Sequence, residues 1–275
     1  MYRRRFGLTG HPLPKNAQGK TFFDKGPGYA RLKRRFAGLI DDPGLGVLTG
    51  DAGVGKTAAI RNLCAQLPRP DHLVLYLCDT AVSPLDLYRT LARELGVRPS
   101  HLRAQLWTDI KQTLAHLVDE RGQKPVLVID EAQHLSDRFL VDLAGFLNFA
   151  FDSRDLLTLW LVGLPPLAKH LRLQIHAPLA MRIAAQVHLE PLGERELFFA
   201  LIDHGLKAAG ATTTVLSDPA RELLFRSSRG LPRLASQQLR AALERAHERD
   251  QTFVDDHLLE AALEDAAPTP AQATP

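Results

Sequence analysis

Cysteine, methionine and tryptophan are scarce in this 275-residue chain, at two of each, and aromatic residues make up only 7%. Two cysteines cannot build a disulfide framework, and neither Cys64 nor Cys78 belongs to a group with metal-ligand spacing. Both are expected as buried thiols, Cys78 at the end of an apolar strand. Apolar runs stay well short of the roughly eighteen residues a spanning helix needs, which excludes a transmembrane helix and a membrane partner. The N-terminus lacks the hydrophobic segment of a signal peptide, so the expected location is cytoplasmic. There is no internal repeat.

Acidic residues are almost missing from the first forty positions. Ten Lys or Arg (Arg3, Arg4, Arg5, Lys15, Lys20, Lys25, Arg31, Lys33, Arg34, Arg35) stand against Asp24 alone, giving +9 there and −6 over the remainder of a chain whose net charge is +3. Such a section suits a polyanion, with Arg3–Arg5 and Lys33–Arg35 along a phosphate backbone, binding salt-sensitively and without reading sequence. Solvated helix faces are the competing account of the same residues, as they are for Arg103 and Lys111 further along.

Apolar residues reach 45%, enough for a substantial core. Apolar segments near Val47–Leu48, Leu73–Leu77, Val126–Ile129, Leu156–Val162 and Ala185–Leu189 alternate with helix-like stretches, which predicts a parallel sheet with helices on both faces. Beyond Pro191 only helices are predicted, at 194–209, 218–228, 232–250 and 255–266. The expected organisation is a basic segment 1–40 packing on the core, an α/β domain 41–190, a small all-helical domain 191–266, and a disordered Pro-rich tail 267–275.

Gly50-Asp51-Ala52-Gly53-Val54-Gly55-Lys56-Thr57 follows one of these strands and precedes the helix that opens with Ala58. This is the P-loop pattern in its required setting. Successive amides converge on one point, the helix dipole adds positive potential there, and the resulting cup holds phosphate. Lys56 is expected to reach the β- and γ-phosphates of ATP, and the Thr57 hydroxyl to ligate the bridging Mg2+. Pro125-Val126-Leu127-Val128-Ile129 reads as a doubly buried strand delivering Asp130 and Glu131 to the sheet's carboxyl edge. Asp130 is expected to hold the metal, and Glu131 to orient and deprotonate the attacking water. The competing role for Glu131 is a first-turn acid of a helix starting near Ala132.

A P-loop sheet with an added strand before Asp130, followed by a helical lid, resembles the AAA+ ATPases. Met1-Tyr2-Arg3-Arg4-Arg5-Phe6-Gly7-Leu8, Leu161-Val162-Gly163-Leu164-Pro165-Pro166-Leu167 and Arg229-Gly230-Leu231-Pro232-Arg233-Leu234 make it similar to the ExeA-like branch. That branch includes secretion ATPases and regulators of DNA transposition of the TnsC, TniB and MuB type. The resemblance implies a three-layer α/β/α fold with a helical lid and assembly into a hexameric ring or helical filament. It implies a trans-acting arginine finger at Arg182 and a lid arginine at Arg233. It further implies non-specific duplex DNA, a transposase and a target-selection protein as partners, with disassembly on hydrolysis. The alternatives are an ExeA-like secretion ATPase, or a signalling or loader ATPase with a protein client. One departure stands out: related ATPases carry a polar residue where this chain has Leu164, which implies slow hydrolysis unless another group substitutes.

Overall fold

The computed structural model describes residues 2–266; the tail expected from residue 267 lies outside them. The described chain forms two compact units. One comprises residues 27–52 and 59–189, the other the described chain up to Gly26, residues 53–58, and the chain from Glu190 onward.

The α/β unit is built on strands β1 (Leu45–Gly50), β2 (His72–Leu77), β3 (Lys124–Ile129), β4 (Thr158–Gly163) and β5 (Ile183–Leu189). They form one parallel sheet in the order β2-β3-β4-β1-β5. Burial follows position in that order. Every residue of β1 and β4 is buried, as continuous apolar runs require of inner strands, whereas β2 and β5 alternate because each is an edge.

Odd-numbered strand residues (Leu45, Val47, Leu127, Leu159, Leu161) enter one large cluster with helices α4 (Pro84–Glu94), α5 (Arg103–Asp119) and α6 (Asp137–Phe146). Tyr88, Trp107 and Phe146 pack there ring against ring, as the helical spacing of Trp107, Ile110, Leu114 and Leu117 predicts. Ser83 caps α4 by accepting the Asp86 amide, with Pro84 in the first turn. On the opposite face Trp160 stacks with Phe36 of α2 (Pro27–Asp41), ring centroids 6.0 Å apart. Gly46 makes room for it, since a Cβ there would lie 2.7 Å from the indole.

The helical unit contains α9 (Arg195–Ala208), α10 (Asp218–Ser228), α11 (Pro232–Glu248) and α12 (Asp256–Ala266). Its core joins Phe198, Ile202, Leu224, Leu239, Leu243 and Leu259 to Tyr2, Phe6 and Leu8. The described residues up to Gly26 thus group with the helical unit, whereas a single segment 1–40 on the core was the expectation. The Thr9 amide donates to Ala209 O at 2.8 Å, and Ser236 Oγ donates to Leu13 O at 2.8 Å. Gly205 lets the Pro12 carbonyl approach to 2.3 Å from where a Cβ would sit. Apolar side chains on a basic stretch decide its place, and only 27–41 belongs to the α/β unit. The expectation of a buried Cys78 is corrected: one residue past the edge strand β2, it is exposed.

Candidate nucleotide-binding site

β1 ends at Gly50, and exposed Asp51 and Ala52 lead into Gly53–Ala58. Gly53 and Gly55 have φ of +85° and +103°, which side-chain-bearing residues rarely adopt. A Cβ on Gly55 would meet nothing within 4 Å, so open space adjoins this backbone. Buried Val54 anchors the loop between the two glycines. α3 (Lys56–Cys64) begins at Lys56, whose side chain is buried, with half-buried Thr57 next and Ala58 behind it. The first turn of α3, its positive dipole end and the Lys56 side chain thus belong to one short stretch that follows two left-handed glycines, a combination that fits phosphate.

Arg233, in the first turn of α11, donates its amide to Gly53 O at 3.2 Å. A Cβ on Gly53 would lie 3.0 Å from Arg233 Cβ, so the glycine is what permits the approach. The direction of Arg233 is set by Gly230, at φ +70°, where a Cβ would sit 2.3 Å from Leu192 O.

At the carboxyl edge of the sheet β3 delivers Asp130, which is 3% exposed. Its Oδ1 accepts the Glu131 amide at 2.9 Å and its Oδ2 accepts the Tyr76 hydroxyl at 3.0 Å. Burial and the adjoining Asp130 carboxylate push the Tyr76 hydroxyl pKa upward, keeping it a donor at neutral pH. A fixed, buried carboxylate at this edge fits Mg2+, as does a first-turn hydroxyl at Thr57.

Glu131 is exposed and left-handed, with φ 51° and ψ 34°. This uncommon backbone turns the chain away from the strand, and only a short 3₁₀ turn, Ala132–His134, follows. Thr80 Oγ1 donates to Glu131 O at 2.8 Å. The carboxylate itself accepts Gln133 Nε2 at 2.7 Å, while Gln133 Oε1 accepts the Leu164 amide at 3.0 Å. Gln133 thus bridges Glu131 to the tip of β4, where the family resemblance implies a polar side chain and this chain has Leu164. A Cβ on Gly163 would lie 2.7 Å from Gln133 Oε1, so this glycine opens the way. Gln133, Tyr76 and Thr80 were not singled out from sequence. The one available signal was the gap at Leu164, which calls for a polar group from elsewhere.

Arg182 immediately precedes β5, in register with the start of β1: Leu45 pairs with Ile183 and Gly50 with Leu189. It therefore lies at the amino edge of the sheet, about 17–20 Å along the strands from the P-loop edge at a rise of about 3.3 Å per residue. Its guanidinium pairs with Asp152 at 2.6 Å. The ten N-terminal cations are divided between the two units. Arg5 pairs with Asp250, while Arg31, Lys33, Arg34 and Arg35 are exposed on α2. Arg103 is held by Asp142 at 2.8 Å and lies over Trp107; Lys111 lies over Phe149 and donates to Asn148 O at 2.6 Å.

Residues 40–171 match the family model for an AAA domain. The chain is 31% identical over 237 residues to general secretion pathway protein A of Aeromonas hydrophila, a match covering 85% of this chain and 43% of that protein. It thus spans less than half the length of that relative. Its fold is similar to the Aeropyrum pernix ORC2 protein, with TM-score 0.70 and 16% identity over 95% of this chain and 72% of that one. It is also similar to Aeropyrum pernix ORC1 in complex with DNA, with TM-score 0.66 and 19% identity over 95% of this chain and 69% of that one. Among the described residues no helix is long and apolar enough to cross a membrane. The sheet and the loop that follows β1 agree with these comparisons: residues 40–171 resemble an AAA domain, and the chain is similar to general secretion pathway protein A.

Proposed function

We propose that this protein is a nucleotide-switched ATPase that hydrolyses ATP to ADP and phosphate and works as an assembly of copies of itself. The loop Gly50–Thr57 with Ala58 binds the triphosphate through its amides, and Lys56 adds a fixed positive charge. Thr57 and Asp130 hold Mg2+, which neutralises phosphate charge when bound. Glu131 orients the attacking water and takes its proton on a carboxylate oxygen. Gln133 acts as a positioning residue, setting where that carboxylate points. Arg233 serves the nucleotide from the lid of the same chain. Arg182, a full strand length from its own P-loop, serves the site of a neighbouring copy, where a guanidinium stabilises charge on the transferring phosphoryl group.

The observation that carries this reading is the joint build of the carboxyl edge: a buried Asp130 fixed by two donors, followed by a left-handed Glu131 already oriented by Gln133. Turnover is slow in the isolated protein, at about 10⁻² per second or below, because Leu164 offers only an amide. In Glu131→Gln, ATP binding should persist while hydrolysis falls at least about 100-fold. Filter binding with labelled ATP and phosphate release measure the two separately, and parent-rate turnover in the variant would overturn the assignment of the base.

For the client, the identity to general secretion pathway protein A favours an ExeA-like secretion role, in which nucleotide controls engagement of envelope partners. A second reading rests on the exposed cations Arg31, Lys33, Arg34 and Arg35 of α2. In it, stacked copies track duplex DNA backbone without sequence preference, recruit a transposase and release on hydrolysis. Nucleotide-dependent binding to random duplex with a steep salt dependence separates the two readings. No binding at low salt rejects the second.

A further inference from the structure

The α/β unit contains a second cluster of ligand atoms that the nucleotide chemistry does not use. Asp137 opens α6, His170 closes the short helix α7 (Pro166–His170), and His176 ends the 3₁₀ turn Gln174–His176. The two imidazole Nε2 atoms meet the same carboxylate oxygen, Asp137 Oδ1, at 2.6 Å from His170 and 2.8 Å from His176. The three potential ligand atoms all lie within 4.8 Å of one another. The rings stand at 83° with centroids 5.0 Å apart, so they reach the shared point from different directions instead of stacking.

We propose that Asp137, His170 and His176 form a binding site for a borderline divalent transition-metal ion, of which Zn2+ is the representative. Two imidazole nitrogens and one carboxylate oxygen on three separate segments are the donor set such ions take, whereas Mg2+ and Ca2+ prefer oxygen alone. The ligands differ usefully in exposure. His176 is fully buried and its Nδ1 has no partner, so its polar contact runs through Nε2 toward the cluster. Asp137 is 59% exposed on its side chain, which leaves a solvent-facing side for a fourth, water ligand. On binding, the ion would replace the Nε2 protons that now bridge to Asp137, and those protons would leave to solvent. The site would tie the segment after β3 to the segment after β4, the same pair that Gln133 joins through Leu164.

The test uses the full chain, untagged, stripped with chelator and free of nucleotide. Zn2+ alone is titrated in competition with a chromophoric chelator, and Co2+ is used as a spectroscopic probe. The expected result is one site per chain, with a visible Co2+ absorption of the intensity that low coordination gives. Asp137→Asn and His170→Ala, both at solvent-accessible positions, should each weaken Zn2+ binding at least about 10-fold and abolish that absorption. Exposed His101→Ala should change neither. Circular dichroism of each variant keeps a folding defect from counting as loss of a ligand. The proposal is overturned if the parent takes up no stoichiometric Zn2+, or if folded Asp137→Asn and His170→Ala bind like the parent; the cluster is then a hydrogen-bonded pair of histidines on a helix-opening carboxylate.

Discussion

A single glutamine decides how Glu131 is presented. Its amide NH2 donates a hydrogen bond to the carboxylate and its carbonyl oxygen accepts one from the Leu164 backbone, so both ends of a short side chain are committed. Gln133→Ala should leave the KM for ATP within about twofold and lower kcat by roughly 10- to 100-fold, since misplacing a reacting group by about 1 Å can cost that much. A purely structural glutamine would instead depress stability and leave kcat in place. Asp130, Glu131, Lys56 and Thr57 stand out in the sequence as candidates because residue type and spacing suggest their chemistry. Gln133 does not, because its partner at Leu164 lies 31 positions away and contributes only a backbone amide.

At the level of elements, burial on both faces is what made the sheet readable. Continuous apolar runs marked the inner strands, and helical spacing around Trp107 and Ile110 marked α5. Sequence did not reveal that β1 must stay thin where the indole crosses it. Gly46→Ala should destabilise the α/β unit by about 1–3 kcal/mol through overpacking, with Trp160 and its partner Phe36 displaced. Urea unfolding followed by tryptophan fluorescence should give a lower midpoint at unchanged slope, and an unchanged midpoint would show that the ring has room to move. The grouping of the N-terminal stretch is hidden for a related reason. Its charge is visible locally, but Tyr2, Phe6, Leu8 and Pro12 find their partners near residues 205–243, contacts that no local pattern encodes.

For the molecule as a whole, the sheet's polarity sets the catalytic arithmetic. β1 ends at Gly50 and β3 at Ile129, next to Asp130 and Glu131, on the carboxyl edge, whereas Arg182 precedes β5 at the amino edge; the proposal therefore has another copy supply that arginine. Lys56→Ala and Arg182→Ala homogeneous preparations should each lose most turnover, up to about 10³-fold for the arginine. Mixing them should restore part of it, because the Lys56→Ala subunits still donate Arg182 to intact P-loops. Phosphate release across mixing ratios measures this, and a mixture no more active than its components would mean that each subunit works alone. Asp152 holds Arg182 within its own chain, so docking has to exchange that partner for phosphate.

The cysteine pair has a practical corollary. Burial pushes the Cys64 thiol pKa up to about 12, leaving it protonated and inert, whereas Cys78 is open to reagent one residue beyond β2. The native chain therefore comes with a single addressable thiol, two positions from the tyrosine that grips Asp130. A maleimide dye attached there would report on the surroundings of the Asp130 carboxylate in real time, in wild-type protein, without an engineered cysteine.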